Sequence, residues 1–169
     1  AMYGFQPPQT YLHEGEGMEW EGKGVLVHDF NGDGLDAVVL ASRRDFARSP
    51  WHRLAVFLQN PATHQLSPPV TYPIVHPEQG KVYVSSHQEA DIAGDGKKEI
   101  IIGHSAGFSV LDPANNFAIL AIVEVPGAHT FDPMLARAGD INGDGYADVV
   151  FMANDTFDPT HASIYAGDG

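Results

Sequence analysis

Cysteine is absent from all 169 residues, which excludes a disulfide framework and a thiolate site. Secretion stays open, because a repetitive β fold can do without disulfides. Basic residues are scarce: nine Lys and Arg stand against 22 Asp and Glu, for a formal net charge of −13. That argues against a nucleic-acid partner, since phosphate binding needs a basic face. No apolar run approaches the length of a membrane span, so insertion in a bilayer is not expected. No segment carries apolar residues at i, i+3, i+4 and i+7 for long enough to predict a long helix. Signal-peptide chemistry is missing at the N-terminus, which opens with Ala1 before Met2 and reads as a mature or excised piece. A nucleophile elbow, a phosphate loop and a dinucleotide fingerprint are missing as well.

Apolar content is 43% and charged content 18%, enough to bury a core in one domain. Eighteen glycines and 12 prolines favour short strands and many turns. One short acidic string occurs three times. It reads Asp29-Phe30-Asn31-Gly32-Asp33-Gly34, then Asp91-Ile92-Ala93-Gly94-Asp95-Gly96, then Asp140-Ile141-Asn142-Gly143-Asp144-Gly145. Each copy leads to an acid and a β-branched run: Asp36 with Val38-Val39, Glu99 with Ile100-Ile101-Ile102, Asp148 with Val149-Val150. Oxygen-bearing side chains at alternate positions, with glycine where the chain turns sharply, form the first half of a calcium loop. An EF-hand is excluded, because its position 12 needs Glu and these positions hold Leu40, Ile102 and Phe151.

The loops start 62 and 49 residues apart, which is the signature of a repeat. Around each loop the sequence predicts a strand before it (Gly24 to His28, Ser86 to Ala90, Met134 to Gly139) and one after it. A third strand follows (Leu54 to Leu58, Phe108 to Leu111, Ala162 to Ala166). Two units add a fourth, at Val70 to Ile74 and Ala118 to Val123. The expected fold is all-β, with about three four-stranded propeller blades: a lead-in and outer strand over 1–23, and blades over 24–84, 85–133 and 134–169, the last without its fourth strand. Phe5-Gln6-Pro7-Pro8-Gln9-Thr10-Tyr11 resembles Leu66-Ser67-Pro68-Pro69-Val70-Thr71-Tyr72, and Pro7 and Pro68 lie 22 and 23 residues before Asp29 and Asp91. Residues 5–13 are therefore expected to form the outer strand beside the third strand of the last unit.

These units resemble the FG-GAP and VCBS family of calcium-binding β-propeller repeats, which includes those of integrin α-subunits. The resemblance covers residues 24–169. It implies Ca2+ bound through side chains at loop positions 1, 3, 5 and 9 and the carbonyl at position 7. In the third loop these are Asp140, Asn142, Asp144 and Asp148, with the carbonyl of Tyr146. In the first they are Asp29, Asn31 and Asp33, with the carbonyl of Leu35, but the final acid is Asp36 at position 8. In the second they are Asp91, Asp95 and Glu99, with the carbonyl of Lys97, and Ala93 cannot ligate through its side chain. Three calcium ions would raise the net charge to about −7.

Three blades are too few to close a ring, since propellers typically have four to eight. Either the chain is part of a longer propeller or two copies complete one. The expected function is a calcium-stabilised module, extracellular or periplasmic, that binds a glycan or a protein. The alternative is a propeller fragment of a secreted carbohydrate-active enzyme such as a polysaccharide lyase, using histidines at the mouth; surface or strand-end histidines are the plainer expectation for the nine present. Trp20 and Trp51 can each offer a flat face to a sugar. The segment from Arg43 to Arg53, with four of the nine basic residues, can meet an anionic sugar or a carboxylate.

Overall fold

The computed structural model describes residue 10 and residues 20–44, 52–75, 82, 84–125, 135–153 and 161–167. It is all-β, with eleven strands in three antiparallel sheets. Sheet I holds β1 (Trp20–His28), β2 (Ala37–Arg44), β3 (His52–Phe57) and β4 (Val70–Pro73), in that order. Sheet II repeats the plan with β5 (Val84–Ala90), β6 (Glu99–His104), β7 (Gly107–Asp112) and β8 (Ala118–Glu124). Sheet III holds β9 (Leu135–Gly139), β10 (Asp148–Ala153) and β11 (His161–Tyr165), and no fourth strand is found for it among the described residues.

Each acidic loop closes the hairpin between the first two strands of its sheet. The register makes the repeat explicit: His28 pairs with Ala37, Ala90 with Glu99 and Gly139 with Asp148. In the third loop the glycines supply the positive φ that the tight turn needs, at 82° for Gly143 and 94° for Gly145. Between β7 and β8, Asp112 opens one 3-10 turn, Pro113–Asn115, its carboxylate accepting from the Ala114 amide. It is the only helix among the described residues.

The sheets pack face to face through apolar side chains that alternate along the strands. Val39, Leu54 and Val56 of sheet I meet Ile100, Ile102 and Leu111 of sheet II. On the opposite face of sheet II, Ile101, Phe108 and Val110 meet Ala136, Val149 and Phe151 of sheet III. The middle sheet is thus covered on both sides, and every residue of β6 is buried. The first strands lie together, with β5 packed against β1 on one side and β9 on the other.

The two seams along β5 are fastened differently. Toward sheet III, Ser86 Oγ accepts from the Ala136 amide at 2.9 Å. Gln88 grips both backbone groups of Ala138, its Nε2 donating to the carbonyl at 3.0 Å and its Oε1 accepting from the amide at 3.2 Å. Toward sheet I, the His87 ring points its Cε1 edge at Gly24, where a Cβ would collide with that edge. Gly24 sits at a bulge in the β1–β2 pairing with φ 149°, so glycine serves both the backbone and the histidine. Of residues 5–13, expected as an outer strand, only Thr10 is described; it is exposed and in no strand, and the rest lie outside the described residues.

Candidate functional site: the three acidic hairpin loops

The third loop is organised from within by its own oxygens. Asp140 accepts from the amides of Gly143 (2.6 Å) and Gly145 (3.0 Å) with its two carboxylate oxygens. Asn142 Oδ1 accepts from the Asp144 amide at 2.9 Å, and its Nδ2 donates to Asp144 Oδ2 at 2.8 Å. Asp144 Oδ1 accepts from the Tyr146 amide at 2.9 Å. The first loop repeats each of these bonds and adds one, from the Asp33 amide to Asp29 (3.1 Å). Asp29 accepts from Gly32 and Gly34 (2.8 Å each), Asn31 accepts from Asp33 (3.2 Å) and donates to it (2.8 Å), and Asp33 accepts from Leu35 (2.8 Å). These Asx contacts bend the backbone and gather the oxygens of positions 1, 3 and 5 on one exposed turn.

The second loop lacks the middle member. Asp91 accepts from Asp95 (3.1 Å) and Gly96 (2.8 Å), and Asp95 accepts from Lys97 (2.9 Å). Ala93 offers nothing, and the Lys97 ammonium stands 3.4 Å from the other oxygen of Asp95. The Asp95 pKa is lowered, chiefly by the Lys97 amide bond.

The acids at position 9 stand apart from this exposed cluster. Asp148 is buried, and its Oδ2 accepts from Ile141 (2.9 Å) and Asn142 (3.3 Å) while its Oδ1 accepts from Gly167 (3.0 Å). These amide bonds, led by that of Ile141, hold the Asp148 carboxyl below its ordinary pKa. Glu99 does the same work in the second loop, accepting from Ile92 (2.7 Å) and Ala93 (3.3 Å). In the first loop position 9 is Ala37, and Asp36 at position 8 is exposed. The family resemblance implied Asp148 and Glu99 as ligands and gave no sign of their work as anchors; Gly167, the third partner of Asp148, lies 19 residues away.

The donor chemistry of the first and third loops fits a calcium ion: two carboxylates, one amide oxygen and a nearby main-chain carbonyl, all hard oxygens. Asn31 and Asn142 each add one neutral oxygen at position 3. Among the described residues no three His, Asp or Glu side chains converge to hold a metal ion. The second loop fits poorly, because an ammonium already neutralises Asp95.

The histidines divide. His104 is fully buried, with Nε2 3.0 Å from Ser109 Oγ and Nδ1 accepting from the Ala106 amide at 3.3 Å, so it is a satisfied core residue. His28 Nδ1 lies 3.9 Å from Glu89 Oε1. His87 Nδ1 and Glu89 Oε2 are buried without a hydrogen-bond partner among the described residues. Burial lowers the His87 pKa from 6.5; its bond to the Val25 carbonyl works against that, and the charge of Arg137 works with it. The unfolded chain therefore takes up a proton that the folded chain refuses. This share of stability is present above pH 6.5 and is lost as pH falls through the folded value. The urea midpoint is expected to drop between pH 7.5 and 5.5 by more in the native chain than in His87→Gln. Equal drops would show that His87 is not the cause.

Between sheets II and III lies an open groove of about 370 Å³, lined by Phe108, Val110, Leu120, Val123 and Tyr165 among others. Trp51 and most of the Arg43 to Arg53 segment lie outside the described residues, as does the Trp20 side chain. No described helix is long and apolar enough to cross a membrane. A family model described as FG-GAP-like repeat matches residues 91–151, from the second acidic loop to Phe151 of β10. No curated protein and no solved structure matches the chain.

Proposed function

We propose, from the match of residues 91–151 to the FG-GAP-like repeat model, that the three sheets are blades of a β-propeller and the chain a calcium-stabilised binding module that works outside the cell. The observation that carries this reading is the set of hydrogen bonds shared by the first and third loops, which gathers the same three oxygen-bearing side chains on one exposed turn in each. Calcium there neutralises acids that otherwise repel, and so stiffens the hairpin. Two carboxylates and an amide on an exposed loop make a weak site. Such sites fill where calcium is near millimolar, as it is for extracellular modules. The partner is a glycan or a protein, met by the face that the stiffened hairpins shape.

Calcium is expected to raise the melting temperature by about 3–6 °C per loop at ten times Kd. Asp144→Ala should remove the contribution of the third loop and Asp29→Ala that of the first. Asp95→Ala should leave the calcium response unchanged. A melting curve indifferent to both calcium and excess EDTA would refute the reading. Tryptophan fluorescence titrated with neutral and anionic oligosaccharides, and with candidate protein partners, then separates the two kinds of ligand.

A further inference from the structure

Asn-Gly occurs at two places in the chain, Asn31-Gly32 and Asn142-Gly143, each on the exposed turn of an acidic loop. At such a step a protein chain most readily attacks itself. Glycine has no Cβ to keep its amide nitrogen from the side-chain carbonyl of the asparagine before it. Attack joins the glycine nitrogen to the asparagine Cγ and expels Nδ2 as ammonia, which carries off the displaced amide proton. Water then opens the cyclic imide. Opening at Cγ leaves aspartate. Opening at the main-chain carbonyl leaves isoaspartate, whose backbone runs through the former side chain.

Crowding does not guard either step, since a Cβ built on Gly32 or Gly143 would meet nothing within 4 Å. Hydrogen bonding guards them instead. The Gly32 amide donates to Asp29 Oδ1 at 2.8 Å and the Gly143 amide to Asp140 Oδ1 at 2.6 Å. A carboxylate on the N–H opposes loss of its proton, because the amide anion would form against a negative charge. Nδ2 is fixed as well, donating to Asp33 Oδ2 from Asn31 and to Asp144 Oδ2 from Asn142. The other glycines show the same selection. Gly34, Gly96 and Gly145 follow Asp33, Asp95 and Asp144, whose carboxyls can close the same imide, and their amides are held by the second oxygens of Asp29, Asp91 and Asp140. Gly94 follows Ala93, which has no side-chain carbonyl, and no bond from its amide to Asp91 is found among the described residues; Asp91 Oδ1 takes the Asp95 amide (3.1 Å). The first aspartate of each loop thus holds the glycine amides that have something to attack.

We propose that Asn31 and Asn142 are latent modification sites, deamidated by their own chain, and that Asp29 and Asp140 are the guards that keep them intact while the loop is closed. Conversion changes the loop it occurs in. Asn31 Nδ2 donates to Asp33 Oδ2, and an acid at that position sets a second carboxylate against the first. Isoaspartate also lengthens the backbone ahead of Asp33, whose Oδ1 accepts from the Leu35 amide and so shapes the rest of the turn. The third loop is altered in the same way through Asn142, Asp144 and Tyr146. A loop that opens often is thereby marked at its third position. No metal takes part, and the proposal does not rest on the calcium reading.

Peptide mass spectrometry of chains aged in EDTA at mildly alkaline pH tests this. Each conversion adds about 1 Da, and isoaspartate is counted by enzymatic methylation. Asp29→Ala should convert Asn31 about tenfold faster than the native chain or more, and leave Asn142 within about twofold; Asp140→Ala should do the reverse. Asp33→Ala loosens the same loop but leaves the Gly32 amide on Asp29, and should speed Asn31 by less than about threefold. The native chain unfolded in urea should convert both sites about tenfold faster or more. If Asp29→Ala speeds both asparagines, the chain has opened as a whole and Asp29→Asn decides. That variant keeps an acceptor oxygen without the charge, and should speed Asn31 alone by about threefold or more. Equal acceleration by Asp29→Ala and Asp33→Ala assigns the protection to loop stiffness and overturns the guard. Native conversion as fast as in urea overturns it too, as does an Asp29→Asn chain no faster than native at Asn31. The calcium response is read separately by melting, so the proposed function stands or falls without this result.

Discussion

Asp148→Ala is expected to lower the melting temperature by on the order of 10 °C, while Asp36→Ala shifts it by no more than about 2 °C. The two acids end equivalent loops, and their surroundings decide the difference. Asp148 is buried, and removing it strands the amides of Ile141, Asn142 and Gly167. Two of these start the third loop and one lies just past β11, so the loss loosens both hairpins of sheet III. Asp36 is exposed, and its removal strands nothing comparable. Asp148→Asn should recover little, because one carboxylate oxygen becomes an NH2 group aimed at a donor. The lowered pKa adds a pH signature: the folded carboxylate gives up its charge later than the unfolded one. The stability it confers is present above the ordinary value of 3.8 and is lost as pH falls through the folded value. Differential scanning calorimetry of the three variants tests this. Equal losses for Asp148→Ala and Asp36→Ala would show that the buried amides are satisfied in another way.

Phe151→Ala is expected to cost about 3–5 kcal/mol, roughly 10 °C of melting temperature in a chain of this size. Phe151 is 1% exposed in the core between sheets II and III, its ring centroid 6.3 Å from that of Phe108. Phe108 itself lies edge-on to Tyr165 at 5.2 Å, so the truncation opens a void in a three-ring stack drawn from both sheets. Phe151→Leu, which keeps most of the volume, should cost less than half as much. Chemical denaturation gives both values. A cost below about 1 kcal/mol for the alanine variant would mean that the seam collapses around the void.

The strand plan was legible because the acidic loops punctuate it: each Gly-rich turn leads into a β-branched run, and the turn returns that run beside the segment before it. Boundaries moved by a few residues. β3 begins at His52 rather than Leu54 and β5 at Val84 rather than Ser86, because strand pairing extends past the apolar run that announces it. The loop oxygens of positions 1, 3 and 5 were legible too, since their spacing is local. The work of Asp148 was not, because its partner Gly167 is set by the return of β11 and not by the motif. Nor was the pairing of Gln88 with Ala138, 50 residues on. A glutamine in a strand carries no mark that it will serve the backbone of another sheet.

That glutamine has a consequence for how the chain meets other chains. The first strand of a sheet is an edge, and its unpaired amides and carbonyls are a template on which any stray strand can grow. On β9, Gln88 and Ser86 occupy the amides of Ala136 and Ala138 and the carbonyl of Ala138. Capped in this way by side chains, the inner edge has nothing left there for a foreign strand to read. Among the described residues, the edge of sheet III that keeps unclaimed backbone groups is the one at β11. Side-chain capping thus acts as polarity: among the described residues it makes one edge of sheet III chemically silent and leaves the other able to pair.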